Sequence, residues 1–443
     1  MSKTETRPKV LVIGADRYCL EACVRRDIDA VVVLGAKHWD DGLIEVPPPL
    51  RMLLVDDHSS AEGILTAVYR AGLGDVAWDA VHTGDEYALV AASLLARHHG
   101  CPTIGPATAV RFRDKAVQKR TVASAGIRTA KATLIEDVYD VSGIDELPYR
   151  RAVLKPVAGA ATARTTVVNS VEELRARSRE YAAARIPERV FLLEEFVDGD
   201  EWIVDGVLFD GELLFGAVGT YGVPCLTLIE ENLPLSVMRF DPETDASAYH
   251  KAVPFAQAAL AALGLRYGVF HLELFHDPRT GELTFGECGA RRGGGLTHEE
   301  LQAKFNVHLG EGALLCSLGR RPELNVKQRP DVIGMGFLAG RPGVLVRCPT
   351  PAQLMELPGV EFARIEAAYG TRFGGGVTNT LQRAGQVMIA ADSADELAAR
   401  LAEVRAWFAD RVVTVPDGAR PREARAWQRE VWPQDDFRDT MWR

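Results

Sequence analysis

The segment HLELFHDPRTGELTFGECGARRGGG carries two glutamates, Glu273 and Glu287, on two stretches of alternating polarity joined by a turn containing Pro and Gly. That pattern predicts a β-hairpin. With the turn centred on Thr280, Glu273 lies opposite Glu287, and His271, Phe275, Leu283 and Phe285 share their face, which is then at least half buried. Two carboxylates directly across a ladder repel. A buried carboxylate without a partner is costly or becomes neutral through a raised pKa, so the arrangement makes sense with a cation between the two. Oxygen ligands together with a polyphosphate select Mg²⁺. An exposed hairpin with two ordinary glutamates is the alternative, and the apolar neighbours weigh against it. Past Glu287 the strand ends in Arg291, Arg292 and three glycines, so a guanidinium able to grip a carboxylate or phosphoryl group bidentately stands beside the metal.

Three upstream segments supply candidates for holding that polyphosphate. In RDKAVQKRTVASAGI, Lys115 sits near the start of a helix that ends at Ala125 and Gly126. In VLKPVAGAATARTTV, a strand delivers Lys155 and opens into a loop of small residues that contains Gly159 and ends in Arg164; small residues let backbone N–H groups approach phosphate oxygens, and the lysine adds a point charge. A lone lysine is more often a solvated surface group, but the Lys-Pro-x-x-Gly context favours a ligand at Lys155. In LLEEFVDGDEWIVDG, an apolar strand runs into Glu194, Glu195, Phe196 and Val197, a wall that can hold a flat base, and Glu201 can accept hydrogen bonds from ribose hydroxyls. Taken alone, this last segment reads as an edge strand with solvated acids. There is no GK[ST] phosphate loop, and the first turn, GADRYC, has one glycine where a dinucleotide fingerprint needs three.

These residues need a scaffold larger than one core, and 443 residues of ordinary globular composition, 47% hydrophobic and 25% charged, provide two to four domains. The first, 1–110, alternates apolar runs (KVLVIG, AVVVLG, WDAVHTG) with helical stretches through Cys19 and Cys23, after Ser59 and from Asp85 to Arg97, the rhythm of an α/β doubly wound parallel sheet. A helix from Thr108 toward Gly126 opens a second, α+β domain, 111–326, with its lysine-bearing and phosphate-loop part at 111–190 and its base-binding and metal part at 191–326. Ser170 and Glu173 announce a helix within it by a capping box. The third domain, 327–443, is α+β, with strands VIGMGFL and GQVMIA and a helix over 394–409 whose Leu397, Leu401, Val404 and Phe408 form one apolar stripe behind a second capping box, Ser393 and Glu396.

Composition narrows the setting. Seven scattered cysteines without CxxC pairs fit reduced thiols, the opening MSKTETRPK has no apolar signal core, and no apolar run is long enough for a bilayer, so a cytoplasmic protein without a membrane partner is expected. A net charge of -10 argues against a nucleic-acid partner. His298-Glu299-Glu300 begins like a zinc-protease motif, but Gln302 stands where the second histidine belongs. Alternation turns Cys288 away from Glu287, making it a packing residue, and the glycines at 374–376 after Arg372 read as a turn or a loop near substrate.

The ordered set RFRDKAVQKRTVASAGI, VLKPVAGAATART, EEFVDGDEWIVDG, HLELF and GECGARRGGG resembles the ATP-grasp superfamily, in particular its carboxylate–amine ligase branch of L-amino-acid ligases and biotin-carboxylase-like enzymes. The resemblance spans most of the chain: the first domain is similar to the pre-ATP-grasp domain, and RAGQVMIAADSADELAARLAEVRAWF to the C-terminal domain of that branch. It implies ATP and two Mg²⁺ ions, with Mn²⁺ as a substitute, and places Lys115 and Lys155 on the nucleotide, Glu194 to Val197 at the adenine, Glu201 on ribose, Glu273 and Glu287 on the metal and Arg291 on an acyl phosphate. It implies amide or peptide bond formation between small-molecule carboxylate and amine substrates, an amino acid being the carboxylate donor, through an acyl phosphate with release of ADP. It also makes a homodimer the usual assembly. Two positions depart from the family pattern: Gly289 stands where an asparagine ligand is expected, and Ala163 where the phosphate loop commonly has glycine. A biotin-carboxylase-like carboxylase, whose carrier would be a separate protein, and a non-catalytic nucleotide-binding regulatory protein are the alternative readings.

Overall fold

The computed structural model describes residues 7–14, 16–36, 45–374 and 383–416, with 418, 420 and 422 beyond them. The chain divides into two compact units, residues 1–160, 164–220 and 240–328 in one, and 161–163, 221–239 and 329–443 in the other. The boundary expected at 111 falls inside the first unit, and the one expected at 327 lies beside the break after Gln328.

The first unit begins with four parallel strands, Lys9–Ile13, Asp29–Gly35, Arg51–Val55 and Ala80–Thr83, with the first strand between the second and the fourth. Unbroken apolar runs suit strands covered on both faces. Alternation sorts them: Leu11, Ile13, Val31 and Val33 pack with Ile64 and Leu95 on one side, while Val10, Val12, Val32 and Leu34 pack with Cys19, Cys23 and Leu314 on the other. Leu314 belongs to a distant helix, Leu309–Ser317, which approaches helix Arg17–Arg25 so closely that a Cβ on Gly310 would lie 2.5 Å from Tyr18 Cβ. The helix expected from Asp85 starts at Leu89, because Asp85 instead holds a turn, receiving the Tyr87 N–H at 2.8 Å.

The single helix expected from Thr108 is two helices, Pro106–Arg113 and Lys115–Ser124. Asp114 breaks them: its backbone is extended (φ -101°, ψ 108°) and its carboxylate accepts the N–H groups of Ala116 and Val117 at 2.8 and 3.0 Å, satisfying donors that a helix start leaves open. Lys115 thereby becomes the first residue of the second helix. Strands Ala132–Ile135, Ala152–Pro156, Thr166–Val168 and Phe191–Glu195 form an antiparallel sheet backed by helix Val171–Ala184 through Leu154, Leu174 and Phe191. A further antiparallel set, Asp200–Phe209, Glu212–Tyr221, Gly268–His276 and Leu283–Gly289, lies against helix Ala246–Leu263.

Both expected capping boxes form in half. Ser170 and Ser393 accept from the N–H of Glu173 and Glu396 at 3.2 Å, but the glutamates reach past the serines to the N–H of Asn169 and Asp392. In the second unit, strands Ser236–Arg239, Val332–Leu338, Gly385–Ala391 and Val360–Ile365 pair antiparallel in that order, and helix Ala394–Arg411 covers them with Leu397, Leu401, Val404 and Phe408. Residues 375–376 of the glycine run lie outside the described residues.

One charged pair is buried inside the first unit. Lys304 is fully buried, its Nζ 2.6 Å from Asp241 Oδ2, and Asp241 also accepts from Gln328 and from the Glu243 N–H. Lys304→Met strands that carboxylate, and a loss of about 3–5 kcal/mol in urea unfolding is expected at neutral pH. Burial opposes charge on Asp241, but Lys304 and the backbone donors outweigh it and hold the carboxyl below its ordinary value. A depressed carboxyl stabilises above its unfolded pKa of about 3.9 and loses that contribution as pH falls through the folded value, so the gap between wild type and variant should narrow in acid.

Candidate active site

Strand pairing places Glu273 opposite Glu287. Beyond that pair the register slips by one, because Gly286 is an extra residue on its strand; a Cβ there would stand 2.9 Å from the Glu273 carbonyl oxygen. An isolated glycine in a strand is the sequence sign of such a bulge. Its effect corrects the expected face: Phe285 and Leu283 pair with Leu274 and His276 and pack in the core with Leu272 and Leu274, away from Glu273. Phe275 and His271 stay on the glutamate face by alternation. The neighbouring strand adds Glu201 and Asp205, opposite Phe275 and His271, with Ile203 between them opposite Glu273.

His271 bridges two acids, with Nδ1 2.8 Å from Asp205 and Nε2 3.3 Å from Glu273. Burial opposes its charging, but the Asp205 and Glu273 carboxylates prevail and push it up to about 10. Cys288 faces the core, where burial raises its thiol pKa and the Gln118 side chain clasps its backbone.

Three lysines converge on Glu194 and Glu287. Lys115 Nζ lies 3.5 Å and Lys155 Nζ 3.8 Å from Glu287 Oε2, while Lys155 and Lys119 lie 3.1 and 3.2 Å from Glu194 Oε2. Lys115 also donates to the Gly159 carbonyl at 2.7 Å, tying the helix start to the loop of small residues. Burial would neutralise Glu287, yet Lys115, Lys155, Lys119 and Arg291 pull its pKa down to about 2. Burial also acts on the lysines: it brings Lys119 down to about 8 against the pull of Glu194, whereas Glu194 and Glu287 together overcome it at Lys155 and leave that group above its ordinary value.

Arg291 donates from Nε to Glu86 at 2.8 Å and from Nη1 to the Arg292 carbonyl at 2.8 Å, and Arg113 approaches Glu86 at 3.5 Å. Burial disfavours the charge on Arg291, but Glu86, then Glu273 and Glu287, more than restore it. Glu195 and Phe196 continue the strand, their N–H groups bonded to the carbonyls of Lys131 and Arg151, and the Arg151 guanidinium covers the Phe196 ring at 3.7 Å; Val197 follows on a segment without regular structure. Arg164, in a left-handed conformation, pairs with Glu188. Lys115, Lys155, Glu194, Glu287, Gly159 and Arg291 are thus gathered with Glu273 and Glu201 on the adjoining sheet face, whereas Arg164 is engaged elsewhere.

Sequence reasoning overlooked Lys119, Asp205, Glu86 and Arg113. Lys119 follows Lys115 at i+4 and so shares its helix face. Asp205 shares the strand parity of Glu201. Glu86 and Arg113 had no local signal, because their association with Arg291 is purely tertiary.

The residues fit a magnesium–polyphosphate ligand. Glu273 and Glu287 offer hard oxygen donors from adjacent strands, and no group of three or more His, Cys, Asp or Glu among the described residues is arranged to hold a metal unaided. Mg²⁺ characteristically takes one or two carboxylates and completes its shell with water and substrate phosphate. The lysines that neutralise Glu287 and Glu194 are correspondingly available to exchange partners with phosphate oxygens.

No family profile matches the chain. In sequence it is similar to the L-arginine-specific L-amino acid ligase of Bacillus subtilis, 24% identical over 314 residues that cover 70% of this chain and 72% of the relative. In structure it is similar to the L-amino acid ligase from Bacillus licheniformis, with a TM-score of 0.74 at 18% identity over 93% of this chain and 100% of that one. It is also similar to the biotin carboxylase domain of 2-oxoglutarate carboxylase from Hydrogenobacter thermophilus, solved with MgADP and bicarbonate, with a TM-score of 0.62 at 17% identity over 88% and 89% of the two chains. The chain has the ATP-grasp fold. No helix among the described residues is long and apolar enough to cross a membrane.

Proposed function

We propose that the protein is an ATP-dependent carboxylate–amine ligase that activates an amino-acid carboxylate as an acyl phosphate and passes the acyl group to an amine, releasing ADP and phosphate. The observation that carries this reading is the convergence of Lys115, Lys119 and Lys155 on Glu194 and Glu287, directly across from Glu273 and alongside Arg291. ATP enters as a substrate: Lys115, Lys155 and the backbone around Gly159 hold its phosphates, Glu194 to Val197 line the base, and Glu201 takes the ribose. Mg²⁺ held by Glu273 and Glu287 would supply neutralisation of the phosphate charge.

A carboxylate oxygen attacks the γ-phosphorus as the bond to the β-phosphate oxygen breaks, so positioning and fixed charge do most of the work. The amine nitrogen then adds to the carbonyl carbon, Arg291 stabilises the oxyanion, and the carbon–oxygen bond to phosphate breaks as the nitrogen loses its proton. Two metal ions, Mn²⁺ substitution and a homodimer belong to the same proposal. The test is ATP consumption with Mg²⁺ across amino acids supplied singly and in pairs, with product masses read alongside. ADP release that depends on a pair, with a product equal to the pair less water, is expected; AMP release would overturn the acyl-phosphate route.

A further inference from the structure

The first unit holds a cavity of about 350 Å³ beside Arg291. Its lining includes Arg291, Arg292, Asp16 and His82, but also the apolar side chains of Leu89, Ile104, Leu265 and Val269. A cavity of about 150 Å³ accepts a benzene ring, so this one holds an aromatic side chain with its attached backbone atoms. Apolar walls with a few convergent polar groups are the composition of small-molecule pockets generally.

The polar groups define what fits. Arg292 lies 4.7 Å over the Tyr18 ring with Nε 3.6 Å from Asp16 Oδ1, and Asp16 is buried. Asp16 uses Oδ1 to cap helix Arg17–Arg25, while Oδ2 is crowded against Gly84, where a Cβ would stand 2.3 Å away. Arg292, beside Arg291 in the lining, offers a cation to the carboxylate of an α-amino acid. Elsewhere in the lining, the Ser317 hydroxyl lies 3.1 Å from the Ala313 carbonyl and 2.9 Å from His82 Nδ1. His82 Nε2, on the other side of the ring, is buried without a hydrogen-bond partner. Burial keeps the ring neutral, outweighing the opposite pull of Asp16.

We infer that this cavity binds the carboxylate-donating substrate, and that the substrate is an aromatic α-amino acid whose ring carries a hydrogen-bonding group, as in tyrosine or tryptophan, with His82 Nε2 as its partner. The inference rests on the ligase reading for the donor role of the bound carboxylate; binding itself can be measured without it.

Calorimetry on the full chain with tyrosine, phenylalanine and alanine, in the absence of nucleotide, tests the pocket. Phenylalanine is expected to bind about fiftyfold more tightly than alanine, from burial of the ring. Tyrosine should gain about a further fivefold from its hydroxyl. Filling the cavity from either of two walls, by Ala92→Leu or Ala313→Leu, should shrink the phenylalanine-to-alanine ratio at least tenfold, and His82→Leu should erase the advantage of tyrosine over phenylalanine. Thermal melts identify any variant that has not folded, and two fillers on different helices keep the test open if one fails. Unchanged ratios in a folded filler, or no aromatic preference in the wild type, would overturn the inference. If aromatic binding responds to the fillers but no amino acid drives ADP release, the pocket stands and the ligase reading falls. If small or charged acids drive ADP release and the fillers leave that selectivity alone, the ligase reading stands and the pocket falls.

Discussion

Glu287→Gln should lower ATP-dependent turnover by about a thousandfold, the scale on which removing a preorganised charge at a reacting centre acts. The substitution keeps the shape and removes the charge. In the protein as it stands, Glu287 is drawn to a pKa of about 2 by Lys115, Lys155, Lys119 and Arg291, so it is fully ionised at any working pH, and glutamine removes a whole unit of charge from the pair with Glu273. Both consequences are measurable: steady-state ADP release reports the catalytic loss, and a Mg²⁺ titration should require higher metal. Retention of full turnover would remove Glu287 from the metal and the proposed chemistry with it.

Lys155→Met should cost about a hundredfold in kcat, together with a rise in KM for ATP. Methionine preserves much of the volume and removes the cation that links Glu194 to Glu287. A purely structural lysine would show its loss as a lower melting temperature with kinetics intact. The proposed role predicts the reverse weighting, with kcat falling even at saturating ATP, because charge that develops on the transferred phosphoryl group is then uncompensated. Unaltered kcat would sink the assignment.

Much of this site could be read from the chain because its parts are local. Alternation across HLELF and GEC placed Glu273 against Glu287, and a strand ending in Lys-Pro before small residues singled out Lys155. The doubly wound first sheet followed from apolar runs that leave no solvent face. What escaped was set by single residues with geometric leverage. Gly286 bulged its strand and moved Phe285 to the other face; Asp114 used its carboxylate to end one helix and begin another. The ion pairs of Arg291 with Glu86, and of Lys119 with Glu194, join segments that nothing in local periodicity connects.

The seam between Tyr18 and Gly310 has a consequence for anyone recombining this chain with others of the same fold. Helix Leu309–Ser317 contributes Leu314 to the core of the N-terminal sheet, and only a hydrogen at Gly310 lets the two helices meet. A chimera that exchanges the first hundred or so residues for those of another chain of this fold, on the assumption that they are a detachable module, would transplant half of a core. Crossovers that also carry the 309–317 helix from the same parent preserve the matched surfaces and should be the ones that yield folded progeny.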